Sequence, residues 1–245
     1  MKIITKGIKE TRQLADAASK VLRVKNSETS LAFHTWFGKS NASPGVLNKL
    51  IERHYRTAYT HFPSPNILIR ISFGESTEHA VPRGQPEPGL DSLLYVCPSE
   101  GKALNDHCTA SDGVRPVAHI VTARDAEGQR VGPTILISCP AFFDKKRSTN
   151  AQMVKSYRKD ADKVFHSKGF VLLHELQHMP KATFPDPPAA DVADPRNSSK
   201  GCYSSSCCTI LPDNQKIMNA QNFAFFALDA VAYPKRSKPG SAPSL

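Results

Sequence analysis

Apolar positions keep helical spacing along most of the N-terminal quarter of the chain. From Gly7 to Val24, the residues Ile8, Leu14, Ala17, Ala18, Val21 and Leu22 gather near one face, which predicts an amphipathic helix. Leu31 to Phe37 predicts a second helix. A third follows Pro44, with Val46, Leu47, Leu50, Ile51, His54, Tyr55 and Ala58 in step; Pro44 suits a first helical turn and Ser43 its cap. The period then changes. Asn66 to Gly74, Ser92 to Cys97, Pro116 to Ala123 and Thr134 to Cys139 are short β-branched or apolar runs bounded by Gly, Pro, Asp or Asn, as strands require. Glu75 to Leu90 is rich in proline and glycine and reads as a loop.

Helical spacing returns after Cys139, over Val154 to Phe165 and again over Gly169 to Met179. Pro180, Pro185, Pro187, Pro188 and Pro195 forbid a long helix, so Pro180 to Cys208 is expected as loop. Asn214 to Val231 is apolar on most of its helical surface and should be buried. Pro234 to Leu245 should be a disordered tail. Strands between helical blocks argue for an α+β fold in a single domain, residues 1–233, with the tail at 234–245.

Composition narrows this picture. Of 245 residues, 40% are hydrophobic and 22% charged, ordinary for a soluble globular protein. No stretch approaches the ~20 apolar residues that span a bilayer. The opening residues lack the apolar core of a signal peptide, so the chain is either not secreted or a mature form with an added Met. Six cysteines lean toward secretion: an even number, several in Ser/Pro/Gly-rich loops, and no C-x-x-C pair, which fits disulfides formed in an oxidising compartment. The triplets Asn41-Ala42-Ser43 and Asn197-Ser198-Ser199 are glycosylation sequons compatible with it. The formal charge of +10 suggests nucleic acid. Yet Lys and Arg are scattered, and the densest run, Lys145 to Lys163, reads as a solvated helix face. Nucleic acid is therefore not an expected partner.

The chemistry concentrates at His174-Glu175-Leu176-Gln177-His178. On a helix, positions four apart share a face, so His174 and His178 can offer two imidazole nitrogens to one ion at about 2.0–2.1 Å. Glu175, turned about 100° round the axis, is placed to take a proton from water that zinc acidifies. The preceding Phe170-Val171-Leu172-Leu173 suits a helix driven through a core rather than a chance motif on a surface. A catalytic zinc needs a third protein ligand. Glu175 is the last glutamate and His178 the last histidine, so a downstream Glu or His ligand is excluded. Aspartate, cysteine or tyrosine remain; with the cysteines oxidised, aspartate is the candidate, and Asp186, Asp191 and Asp194 all follow the helix.

Several landmarks resemble the deuterolysin group of fungal zinc endopeptidases, the aspzincins, and especially the set sharing the lysine-specific metallo-endopeptidase domain. His34 to Gly38 (HTWFG) is similar to that family's early W-F-G segment, and Ile135 to Phe143 (ILISCPAFF) to its I-x-L-C-P-x-F-F strand exit. HELQH resembles its zinc helix, and Asn219 to Ala227 (NAQNFAFFA) its N-A-D-S-Y-A-x-F-A helix. The resemblance implies a zincin-like catalytic domain: a helical N-terminal part, a small β-sheet, the HExxH helix and a buried C-terminal helix. It implies a secreted, monomeric endopeptidase with one Zn2+ per chain, acting on protein or peptide, with His174 and His178 as ligands and Glu175 as general base. Family spacing between the aspartate and a following cysteine selects Asp194, eight residues before Cys202, ahead of Asp191. The family's oxyanion-stabilising tyrosine is missing after Asp194, where Pro195-Arg196-Asn197 stand, which leaves Tyr203 as the candidate donor. Gln221 stands where the family has the aspartate of N-A-D. The same picture suggests disulfides Cys97–Cys108 and Cys139–Cys202, with no partner assigned to Cys207 or Cys208. The alternative is a degenerate relative that holds zinc without cutting.

Overall fold

The computed structural model describes residues 2–60, 93–96, 108–109, 116–127, 129–180 and 187–242. The chain divides into two compact units, residues 1–3 with 61–147, and residues 4–60 with 148–245; the expected catalytic domain spans both. The fold is α+β.

The first unit holds a three-stranded sheet in the order β1-β3-β2. β1 (Leu93–Val96) runs parallel to β3 (Arg130–Ser138), with Leu94 opposite Ile135. β2 (Ala118–Arg124) runs antiparallel to β3, with Ile120 opposite Leu136. Leu94, Val96 and Ile137 share one face of the sheet and Leu136 points to the other, and all four are buried, so both faces are packed. β3 leads into Cys139, which is bridged to Cys108. This replaces the expected Cys97–Cys108 and Cys139–Cys202 pairs; Cys97 lies outside the described residues, as do the expected strand 66–74 and loop 75–90.

The second unit is mostly helical. α1 (Lys2–Leu22) begins earlier than the sequence pattern indicates and buries Ile8, Leu14, Ala15, Ala18 and Leu22. α2 (Leu31–Phe37) matches its expected bounds and is capped by Ser30, whose hydroxyl accepts from the Phe33 amide. The third expected helix is divided. α3 (Pro44–Lys49) starts on the Ser43 cap, widens into a π-helix over Leu50–Tyr55, and closes as α4 (Thr57–Thr60). α5 (Asn150–Lys159) starts before the expected Val154 because Thr149 and Gln152 form a reciprocal capping box. It stops at Asp160, whose backbone is extended.

α6 (Lys168–Leu176) carries the histidine motif. The proline-rich stretch after it, expected as loop, contains an antiparallel pair, β4 (Ala193–Asp194) and β5 (Asn197–Gly201), then α7 (Ser205–Ile210). The expected helix from Asn214 to Val231 is broken. α8 (Asp213–Lys216) is followed by a turn, and α9 (Ala220–Ala232) starts after Asn219, whose backbone is extended and pairs with Ala190.

α9 is buried on nearly every side, Phe223, Phe225 and Phe226 included. Trp36 stacks on Phe225 at 5.0 Å, and Phe37 packs against Phe223 and Phe226. Buried Asp229 needs partners for its carboxylate, since an unpaired buried charge is costly. It accepts from Trp36 Nε1 at 3.1 Å and from Arg236 at 3.2 Å. Arg236 belongs to the segment expected to be disordered. That segment is held as far as Ala242: the Arg236 carbonyl accepts from the Ala32 amide, and Ser241 Oγ from the Leu31 amide. Among the described residues, no helix is long and apolar enough to cross a membrane.

Candidate metal centre

α6 is fixed from its first turn. Ser167 caps it by accepting from the Phe170 amide at 3.1 Å. Thr11 of α1 donates to the Gly169 carbonyl at 3.1 Å, and the Glu10 carboxyl accepts backbone hydrogen bonds from Asn150 and Gly169, the starts of α5 and α6. Burial nevertheless leaves the Glu10 carboxyl pKa above its ordinary value. Gly169 is required by this approach: a Cβ there would lie 2.5 Å from Glu10 Cβ and 2.6 Å from its carbonyl carbon. Phe170, Val171, Leu172, Leu173 and Leu176 bury the rest of the helix, so His174 is presented from a rigid element and His178 from the turn that follows it. At the C-terminus the ladder tightens: the amides of Gln177, His178 and Met179 bond the carbonyls of His174, Glu175 and Leu176. Pro180 follows, where continuation is disfavoured.

The two rings stand edge to face at 4.9 Å, with the Nε2 atoms 3.2 Å apart. Both face one carboxylate oxygen, Asp191 Oδ1, at 3.3 Å from His174 Nε2 and 3.5 Å from His178 Nε2. Among the described residues, this is the single group of three potential metal-ligating side chains. Family spacing ranks Asp194 ahead of Asp191, but the group contains Asp191 and not Asp194. It sits on β4, where Arg196 grips both carboxylate oxygens at 3.0 and 2.9 Å. Asp186 lies outside the described residues.

Backbone anchoring explains why Asp191 arrives and Asp194 does not. The Ala189 amide donates to Gln177 O and the Ala190 amide to Met218 O, while the Ala190 carbonyl accepts from the Ala220 amide. Val192 N–H donates to Asn219 Oδ1 at 3.3 Å. The chain is thus stitched between the end of α6 and the start of α9 just where Asp191 leaves it. Extended backbone then turns Asp194 away into the exposed hairpin.

The Ala189 carbonyl also accepts from His178 Nδ1 at 2.8 Å. A carbonyl only accepts, so Nδ1 carries the hydrogen and neutral His178 presents a bare Nε2 lone pair toward His174 and Asp191. Burial alone would lower the His178 pKa. The hydrogen bond and charge of Asp191, the charge of Glu175 and the Ala189 carbonyl outweigh that and lift it to about 9. Burial likewise works to raise the Asp191 carboxyl, but hydrogen bonds and charge from both histidines hold it well below the usual carboxylate range. Once the His178 proton is displaced, two imidazole nitrogens and a carboxylate oxygen converge on one point and can hold a cation.

The donor set fits zinc. Two imidazole nitrogens and one carboxylate oxygen are common zinc ligands, and bonds of about 2.0–2.1 Å at tetrahedral angles set donors about 3.3–3.4 Å apart. The separations of 3.2, 3.3 and 3.5 Å match. Glu175 is buried between the two histidines in sequence and close enough to raise the His178 pKa. Tyr203 lies beside the group, its ring 5.9 Å from that of His174 and its side chain half-exposed. Gly201 makes room for it, since a Cβ there would meet the phenol ring at 2.4 Å. Cys202 is bridged to Cys207, correcting its expected pairing with Cys139 and tying β5 to α7; Cys208 is buried and unbridged.

No protein-family model matches the chain, and comparison with curated protein sequences gives no match. Among solved structures, a zinc peptidase from Grifola frondosa has a similar fold. Its TM-score is 0.51 over 94% of this chain and 95% of that one, at 14% sequence identity. The likeness is one of fold, at a distance.

Proposed function

We propose that the protein is a secreted zinc endopeptidase, monomeric, acting on protein or peptide, with one zinc held by His174, His178 and Asp191. The observation that carries this reading is the near-equilateral spacing of His174 Nε2, His178 Nε2 and Asp191 Oδ1. Bound zinc supplies a Lewis acid that brings the ionisation of water close to neutral pH. Glu175 would take the proton from the attacking water on its carboxylate and pass it to the leaving amine. His178, oriented by the Ala189 carbonyl, keeps its Nε2 aimed at the site throughout. Tyr203 is the candidate to donate its hydroxyl hydrogen to the oxyanion that develops on the substrate carbonyl. Two disulfides support passage through an oxidising compartment.

The test is to measure bound zinc and cleavage of a denatured protein substrate together. We expect stoichiometric zinc, cleavage abolished by chelator, and loss of cleavage with zinc retained in Glu175→Gln. Cleavage that survives chelation contradicts the reading. A second reading, a zinc-holding protein without catalysis, is favoured by one observation: no tyrosine stands in the segment from Val192 to Asn197 that follows Asp191. It predicts full zinc occupancy and no cleavage of any substrate pool.

A further inference from the structure

The buried polar contact behind the metal helix involves two residues with no role in the mechanism above. His54 lies in the π-helix, a rare backbone form that often marks functional sites. Its ring stacks on Phe223 of α9 at 4.3 Å, and its Nδ1 lies 2.8 Å from Gln177 Oε1. The amide orientation is fixed because Gln177 Nε2 donates to the Leu173 carbonyl at 3.0 Å. Oε1 is thus an acceptor and His54 Nδ1 the donor. Gln177 is fully buried and occupies the last turn of the helix, between His174 and His178. Its backbone carbonyl accepts from the Ala189 amide, and the Ala189 carbonyl in turn accepts from His178 Nδ1. Asp191 follows two residues later. One hydrogen-bonded path therefore runs from the π-helix through Gln177 to the segment that orients one histidine and delivers the carboxylate.

We propose that His54 and Gln177 are positioning residues for the metal centre: the His54–Gln177 hydrogen bond sets the last turn of α6, and through Ala189 the mutual placement of His178 and Asp191. The inference rests on the metal reading above and extends it to residues that touch no ligand atom. Residues standing behind metal ligands typically change metal affinity about 10–100-fold when replaced, because they fix ligand orientation. His54→Phe keeps a ring for the Phe223 stack and removes the donor. His54→Asn restores a donor close to the position of Nδ1.

The test is zinc affinity by chelator competition, with the absorption spectrum of the cobalt-substituted protein as a second readout. His54→Phe should lose zinc affinity by about 10–100-fold and change the cobalt bands, while His54→Asn recovers most of both. Gln177→Met, which removes the acceptor at similar volume, should reproduce the loss and serves if His54→Phe does not fold. Wild-type affinity and bands in the folded donor-less variant overturn the proposal, and so does an equal loss in His54→Asn. Wild-type protein that binds zinc without cleaving leaves this result readable and sinks only the peptidase reading. Wild-type protein that binds no zinc overturns both.

Discussion

Asp191 and Asp194 stand three residues apart and live in different worlds. Asp191 leaves a backbone hydrogen-bonded to Gln177, Met218, Ala220 and Asn219, and its carboxylate meets two imidazoles. Asp194 sits on a short hairpin and spends both oxygens on Arg196. Each carboxyl is held below its ordinary pKa, but by different means. For Asp191, two histidine partners prevail over the cost of burial; for Asp194, the Arg196 guanidinium and amide act at the surface. A ligand is thus selected by what anchors its backbone rather than by its distance along the sequence.

Removing each carboxylate in turn separates the two aspartates. Asp191→Ala should abolish stoichiometric zinc, a larger loss than the about 10–100-fold expected from residues behind the ligands. Asp194→Ala should leave zinc affinity and the thermal midpoint unchanged, because an exposed ion pair contributes little. Chelator competition and melts on both variants check this; a reversed order would return Asp194 to the site.

A smaller effect concerns the proton. Without metal, His178 has a pKa of about 9 against an ordinary 6.5. Zinc must displace that proton at neutral pH, so binding should release close to one proton per ion and weaken as pH falls. Calorimetry in buffers of differing ionisation enthalpy measures the release; buffer-independent heats would contradict it. In the chelated protein the sign for stability is opposite. A raised histidine pKa stabilises fully below pH 6.5, and that contribution is lost as pH rises through about 9. Melts across that window should show the decline, and zinc should remove it.

Smaller still is the stitching. Asn219→Ala deprives the part-buried Val192 amide of its acceptor and the buried Asn222 Oδ1 of a donor, and should cost about 1–3 kcal/mol, the range for a buried group left unpaired, while weakening zinc. Ser167→Ala, which removes the α6 cap, should cost about 1 kcal/mol and leave zinc affinity nearly unchanged. Denaturant titration with zinc measurement separates the two.

Periodicity made the helices legible, because burying one face imposes a repeat that a sequence shows directly. Leu31–Phe37 is recovered at its bounds. The start of α5 was also written in the sequence, as Thr149 and Gln152 at capping-box spacing, but apolar spacing alone pointed to Val154. Other features depend on chain segments far apart. Asp191 is chosen by hydrogen bonds to α6 and α9, and the break at Asn219 by its pairing with Ala190. The Cys108–Cys139 and Cys202–Cys207 bridges follow from proximity in the fold, which cysteine spacing does not encode. The tail is ordered by Arg236 reaching buried Asp229, an electrostatic demand that composition cannot reveal. His54 was visible only as one more residue in a helical repeat, and Gln177 as a variable letter within the motif.

The most direct measurement is a crystal structure of zinc-loaded protein with anomalous diffraction recorded on either side of the zinc absorption edge. One strong peak is expected, bonded to His174 Nε2, His178 Nε2 and an Asp191 oxygen at about 2.0–2.2 Å. No peak there, or a peak ligated by Asp194 in place of Asp191, would contradict it.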